Sequence, residues 1–182
     1  MSSNPEPAEI MWSGNYITAK RQGHWEYVSR ARGIRAAVIL AIDESGNDGP
    51  HLILVEQFRV PLGRVCLELP AGLVGDDDGA KGEDASLAAI RELEEETGYR
   101  AAHMEDLGEY FSSPGMVSES FTLFSAKGLT RVHAGGGLED ENIIVHRVPL
   151  SDIASYVAVC RAKGMAIDVK LLVVLGAGFL KD

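Results

Sequence analysis

Asp84-Ala85-Ser86-Leu87-Ala88-Ala89-Ile90-Arg91-Glu92-Leu93-Glu94-Glu95-Glu96-Thr97-Gly98 is the stretch on which the reading of this chain turns. Asp84 suits a helix N-cap, because its short carboxylate can accept from the first free backbone amides, and Gly98 suits the left-handed position that ends a helix. The pattern predicts a helix over 84–97. At 100° per residue Leu87, Ile90 and Leu93 share one face, while Glu92, Glu95 and Glu96 share nearly the opposite one. Ala88 and Ala89 flank the acidic side and leave backbone room there. The glutamates sit at the wrong end of the helix. Carboxylates beside its partly negative C-terminal carbonyls cost roughly 0.3–1 kcal/mol each, and they are expected to lack basic partners within a turn. A solvated acidic face is one reading. The other is a site for a hard cation: spacings of i, i+3 and i+4 bring three carboxylates together, and Mg²⁺ takes one or two of them plus substrate phosphates.

Outward from this helix, the chain as a whole has 182 residues and is 46% hydrophobic, enough for one domain with its own core. Its net charge of −10, with no Lys/Arg block, disfavours nucleic acid or an anionic membrane as partner. An anionic substrate would need metal ions between itself and the protein. Cys66 and Cys160 are far apart and outside any CxxC pair, so neither a disulfide framework nor a zinc site is indicated. The first ten residues lack the apolar core of a signal peptide, and the apolar run at 171–180 is too short to span a bilayer. The expectation is a soluble, cytoplasmic protein.

Residues 1–10 read as a disordered tail. Strands are expected at 15–20 and 24–30 around a Gln22-Gly23 turn, at 36–42 and 51–58 as a central hairpin, and at 65–69, 104–110, 121–126 and 143–148. Residues 72–82, with glycines and three consecutive aspartates, read as a loop. Further helices are expected at 151–163 and 168–180. The fold class is α/β, a mixed sheet with helices on both faces.

Residues 69–99, LPAGLVGDDDGAKGEDASLAAIRELEEETGY, resemble the Nudix box: Gly, five residues, Glu, seven residues, then Arg-Glu-apolar-x-Glu-Glu-x-Gly-apolar. Glu83, Arg91, Glu92, Leu93, Glu95, Glu96, Gly98 and Tyr99 all match. The departure is that ten residues separate Gly72 from Glu83. Strict spacing would put Asp77 in the glycine's place, so five residues are read as inserted in the loop, at an entropic cost of only about 0.6 kcal/mol per doubling of length. The aspartates at 76–78 read as a solvated loop tip, with an auxiliary cation site as the alternative. The resemblance implies a Nudix fold, an α/β/α sandwich over 35–182 with an N-terminal antiparallel strand extension over 11–34 for base recognition and dimerisation. It also implies Mg²⁺, with Mn²⁺ as a substitute. Glu92 and Glu96 would be metal ligands, Glu95 a ligand or an outer carboxylate, and Ala71 the donor of a backbone carbonyl. Arg91 and Glu83 would brace the loop and helix.

Ser113-Pro114-Gly115-Met116-Val117-Ser118-Glu119, Gln57-Phe58-Arg59 and Leu67-Glu68-Leu69-Pro70-Ala71-Gly72 resemble the ADP-ribose pyrophosphatase branch of that family. Pro114 and Glu119 would then meet substrate, and Arg59 would contact the diphosphate or terminal ribose. Trp25-Glu26 and Arg30 resemble the strand that recognises adenine through an aromatic ring, with Tyr16 as a candidate second ring; cross-strand packing is an equally good reading for Trp25 and a better one for Tyr16. Ala134-Gly135-Gly136-Gly137-Leu138-Glu139-Asp140-Glu141 resembles the family loop that carries a catalytic base and closes over substrate, with Glu141 preferred to Glu139. The resemblance also implies a homodimer in which the N-terminal strands cross to the other subunit and put Trp25 into its site. The expected activity is hydrolysis of ADP-ribose, or a related nucleoside diphosphate sugar, to AMP and a sugar phosphate. The alternatives are a Nudix hydrolase of GDP-mannose, NADH or a dinucleoside polyphosphate, or a sensor that binds ADP-ribose without cleaving it.

Overall fold

Three antiparallel strands open the chain in the computed structural model, which describes residues 7–31, 35–74, 84–137 and 141–179. They are β1 (Glu9–Ser13), β2 (Ile17–Gln22) and β3 (Trp25–Arg30), in the order β1-β2-β3. The strand extension is therefore present, and longer than expected: Glu9 and Ile10, placed in a tail by composition, pair with Arg21 and Lys20. A 2.7 Å ion pair between Glu9 and Arg21 closes that edge. The rest of the tail, residues 1–6, lies outside the described residues.

β4 (Arg35–Asp43) organises the main sheet, because its alternating apolar residues feed two cores. Ala37, Ile39 and Ala41 face α1 (Ala85–Thr97), packing with Ala89, Leu93 and Phe124. Val38 faces the other way, toward Ile153, Val157 and Cys160 of α2 (Ile153–Ala162) and Leu175 of α3 (Leu172–Phe179). Helices on both faces of one mixed sheet give the expected sandwich.

The expected central hairpin is present only at its closed end. β4 pairs with β5 (His51–Arg59) at Ile42↔Leu52 and Asp43↔His51, and the strands then part. β5 goes on to pair with β6 (Arg64–Glu68) and with β12 (Ile144–Pro149). The vacated edge of β4 is taken by β7 (Ala71–Val74), while β10 (Ser120–Lys127) runs parallel along the opposite edge, with β9 (His103–Phe111) outside it. β7 corrects the reading of 72–82 as loop from its first residue. Its glycine and lack of alternation hide a strand that forms because Arg35 to Val38 offer free backbone groups. Residues 75–83, with Glu83 and the aspartates at 76–78, lie outside the described residues. Two-residue strands β8 (Tyr99–Arg100), β11 (Thr130–Arg131) and β13 (Ala166–Ile167) complete the set.

The closed end is held by Asp43, a buried carboxylate that accepts from Ser45 N and Oγ at 3.0 and 2.6 Å and from Arg147 Nε at 2.8 Å. Burial alone would raise this carboxyl, but the Ser45 and Arg147 hydrogen bonds outweigh it and hold it at about 2 instead of 3.8. A depressed carboxyl stabilises the fold above its unfolded pKa and loses that contribution as pH falls through the folded value. Asp43→Asn is therefore expected to cost about 2 kcal/mol at pH 7. It should also flatten the acid limb of a urea-unfolding series taken between pH 4 and pH 2.

Candidate active site

Parting β5 from β4 leaves a cleft, and α1 lays its acidic residues across it. The helix begins at Asp84, whose side chain accepts from Ser86 N at 2.8 Å, and ends at Gly98 in the left-handed region at φ 73°. Its buried face overlaps the leucine face only in part. Leu93 is buried and Ile90 packs against the core, but Leu87 is 61% exposed, whereas Ala88, Ala89, Glu96 and Thr97 are buried. The inward stripe is turned from the leucines toward Glu96: a chain that needs a carboxylate inside cannot maximise apolar contrast on the same face.

Glu96 Oε2 accepts from Ala71 N at 3.0 Å. Burial pushes the Glu96 carboxyl up to about 8; the Ala71 bond opposes this, and the neighbouring charges of Glu92 and Glu141 add to it. Burial likewise raises Glu92. Gly72 leaves room for the Glu92 side chain, which a Cβ 2.0 Å from its Cδ would push aside. The expectation that the glutamates lack basic partners is corrected. Arg91 Nη1 donates to Glu95 at 3.0 Å, four residues on, Arg91 Nη2 lies 3.0 Å from Glu92, and Arg100 grips Glu94 with two 2.7 Å bonds.

The helix terminus is also less negative than its sequence suggests. Gly136 N donates to Glu96 O at 2.8 Å and Gly137 N to Glu95 O at 3.1 Å, while Val132 N donates to Gly98 O at 2.8 Å. Backbone amides thus cover the carbonyls that made carboxylates unfavourable there. The glycines of this segment were expected to let a loop close over substrate. One of them, Gly135, also permits close packing: at φ 75° a Cβ there would lie 2.4 Å from Thr97 C. Glu141 follows; Glu139 and Asp140 lie outside the described residues.

A cavity of about 390 Å³ gathers Arg30, Gln57, Arg59, Ala71, Arg91, Glu92, Glu95, Glu96 and Glu141 among its lining. Four carboxylates and three guanidiniums therefore share one space. Arg59 lines it while bound to Glu68, Nε to Oε1 at 2.6 Å and Nη2 to Oε2 at 2.9 Å. Glu68 was absent from the sequence-derived site, although a carboxylate inside the apolar strand Val65-Cys66-Leu67-Glu68-Leu69 is a signal that a cation must meet it. Among the described residues, no group of three or more His, Cys, Asp or Glu side chains is drawn together tightly enough to hold a metal ion.

A second cavity of about 580 Å³ brings Trp25 together with Pro114, Tyr27 and Val117. The two segments meet because β3 docks on the 116–118 backbone: Val28 N donates to Met116 O and Ser118 N to Val28 O, both at 2.9 Å. A third cavity, of about 390 Å³, shares Ser118 with the second and Arg30 with the first. There Arg30 Nε donates to Glu119 Oε1 at 2.5 Å. Glu26 is exposed, and Tyr16, 71% exposed, stands on the turn before β2; neither lines any of these three cavities.

A family model described as the NUDIX domain matches residues 32–162. The chain is 37% identical over 123 residues to a methanol dehydrogenase activator of Bacillus methanolicus, covering 67% of this chain and 62% of that protein. It is 38% identical over 118 residues to an ADP-ribose pyrophosphatase of Bacillus subtilis, covering 64% and 59%. It is 35% identical over 153 residues to a GDP-mannose pyrophosphatase of Cronobacter sakazakii, covering 79% and 72%. The chain thus spans about three-fifths of the length of the first two relatives. A crystal structure of an ADP compounds hydrolase superposes with a TM-score of 0.64 at 23% identity, covering 84% of this chain and 82% of that one, which supports the fold. With a family model matching well over half of its length, including the whole acidic helix, the chain belongs to the Nudix family.

Proposed function

We propose that this protein hydrolyses the diphosphate linkage of ADP-ribose or a closely related nucleoside diphosphate sugar, giving AMP and a sugar phosphate. One observation carries the reading. The cavity holding Glu92, Glu95, Glu96 and Glu141 also holds Arg30 and Arg59, and a third cavity shares Arg30 with it and Ser118 with the cavity lined by Trp25 and Pro114. An acidic end for a cation, a cationic middle for phosphates and an aromatic end for a base match the three parts of such a substrate.

Nudix hydrolases generally use divalent metals such as Mg²⁺, and the chemistry of the donors here suits one, although the side chains would have to draw together around it. Carboxylate oxygens are the hard ligands Mg²⁺ and Mn²⁺ take, and Glu96 is a buried carboxyl whose anionic form is disfavoured until positive charge arrives. Glu92, Glu95 and Glu96 with the Ala71 carbonyl would hold it. The ion would supply charge neutralisation on the phosphates and a more acidic water. Glu141, which lines the cavity, would take a proton from the attacking water, with Glu139 as the second candidate. Arg30 and Arg59 would steady phosphate oxygens, while Trp25 and Pro114 would enclose the base. In the balanced step, water oxygen bonds to one phosphorus, the bridging P–O bond breaks with its electron pair to the departing phosphate, and the base accepts the water proton.

Residues 11–34 would serve base recognition and a homodimer, and 35–182 catalysis. The exposed Ile10, Met11, Trp12 and Ile17 of the N-terminal sheet suit a covering partner copy. No helix among the described residues is long and apolar enough to cross a membrane, and two buried free thiols suit a reducing cytoplasm.

Phosphate release from ADP-ribose, GDP-mannose, NADH and a dinucleoside polyphosphate, after phosphatase treatment of the products, tests the reading. ADP-ribose is expected to lead by about tenfold or more in kcat/KM, on a sample sedimenting as two chains. A lead by another compound moves the substrate assignment. Tight binding of intact ADP-ribose in the presence of Mg²⁺, with no turnover of any compound, would establish the sensor instead.

A further inference from the structure

Arg59 is held by a partner that the proposed reaction does not use. Its Nε and Nη2 meet both oxygens of Glu68 in a fork, which leaves Nη1 outside that pair. Glu68 is only 4% exposed, at the buried end of β6. A carboxylate so far from water is strongly unfavourable without a cation, and its ion pair is with Arg59. Yet Arg59 also lines the acidic cavity, where the Glu96 charge acts on it. Two carboxylates thus compete for one guanidinium, Glu68 on one side and Glu96 on the other.

The outcome of that competition matters to both ends of the cavity. An Arg59 swung onto Glu96 would cancel negative charge gathered for a cation and would spend on protein the donors available for phosphate. We propose that Glu68 is a positioning residue, which anchors Arg59 at the wall of the cavity so that its guanidinium faces phosphate without neutralising Glu96 and Glu92. The proposal rests on reading this cavity as a site for a divalent ion and a diphosphate. It explains why a strand otherwise apolar from Val65 to Leu69 carries one charge at the position where burial makes it most expensive.

Mn²⁺ titration followed by the EPR signal of the free ion, without substrate, tests this alongside ADP-ribose kinetics. Wild type is compared with Glu68→Gln and with the double variant Glu68→Gln/Arg59→Gln, each checked by circular dichroism. Glu68→Gln is expected to bind Mn²⁺ about tenfold more weakly and to raise KM about tenfold, with kcat at saturating metal and substrate within about twofold of wild type. In the double variant Mn²⁺ affinity should return to the wild-type value, because the guanidinium released by Glu68→Gln is gone, while KM stays raised. A Glu68→Gln protein with wild-type Mn²⁺ affinity and KM would overturn the proposal, and so would a double variant as weak for Mn²⁺ as the single. If Glu68→Gln does not fold, the double variant, which leaves no orphan charge, decides: Mn²⁺ bound as in wild type supports the role, and weaker binding overturns it. A wild type that binds Mn²⁺ but cleaves no nucleoside diphosphate compound defeats the proposed function, while the Mn²⁺ series still reads the role of Glu68.

Discussion

Glu96→Gln is expected to lower kcat by about 10³-fold, roughly 4 kcal/mol of transition-state stabilisation, while the metal-free protein melts no earlier than wild type. The two halves of this expectation have one origin. Glu96 is buried on the inner face of α1, where ionisation is disfavoured. A neutral amide of the same shape avoids that penalty, and its carbonyl oxygen can still accept from Ala71 N, so the helix keeps its seat. The amide carries no charge for a cation, and the lost charge is what turnover would feel. Steady-state kinetics with saturating Mg²⁺ and a thermal melt in chelator check the two halves separately. Near-wild-type turnover would remove Glu96 from the metal assignment; a large fall in Tm would mean that its role is chiefly structural.

Gly135→Ala is expected to destabilise the fold by about 3 kcal/mol or more and to depress activity along with it. The backbone there has φ 75°, which costs an L-residue roughly 1–2 kcal/mol. The added Cβ would also stand 2.4 Å from Thr97 C and 2.7 Å from Glu96 O, both backbone atoms that cannot swing aside. Relief would require the 133–137 segment to lift from α1, breaking the Gly136 to Glu96 and Gly137 to Glu95 hydrogen bonds. Gly23, with φ 59° and nothing near its Cβ direction, is the control: Gly23→Ala should show only the conformational part. Urea midpoints of the two variants give the comparison, and equal losses would show that the contact with Thr97 is unimportant.

These two positions also mark what a sequence reading reached and missed. The limits of α1 were legible because Asp84 and Gly98 act locally, through a cap and a left-handed residue. β4, β5 and β10 were legible because their apolar runs are long enough to show as strands. The orientation of α1 was not, since three leucine-type residues on one side outweighed a glutamate whose place is set by the cavity and not by hydrophobicity. β7 was hidden because a strand with a glycine and no alternation is defined by the free edge of β4, some 35 residues away. Gly135 carries no local sign of what it touches, so it reads as freedom where the fold also uses it as clearance. Of the site, the glutamates of α1 and Arg59 are legible in the sequence and share one cavity, whereas Glu68, set opposite Val55 by the β5–β6 register, meets the guanidinium only through the reach of both side chains.

The bonds from Gly136 and Gly137 to the end of α1 set a limit on modular exchange among relatives. A recombination that imports a foreign 130–141 segment, in the hope of transferring substrate preference, also replaces the cap of the host's acidic helix. Segments 94–98 and 130–137 should therefore travel as one cassette, and chimeras cut between them would be selected against before any question of specificity arose.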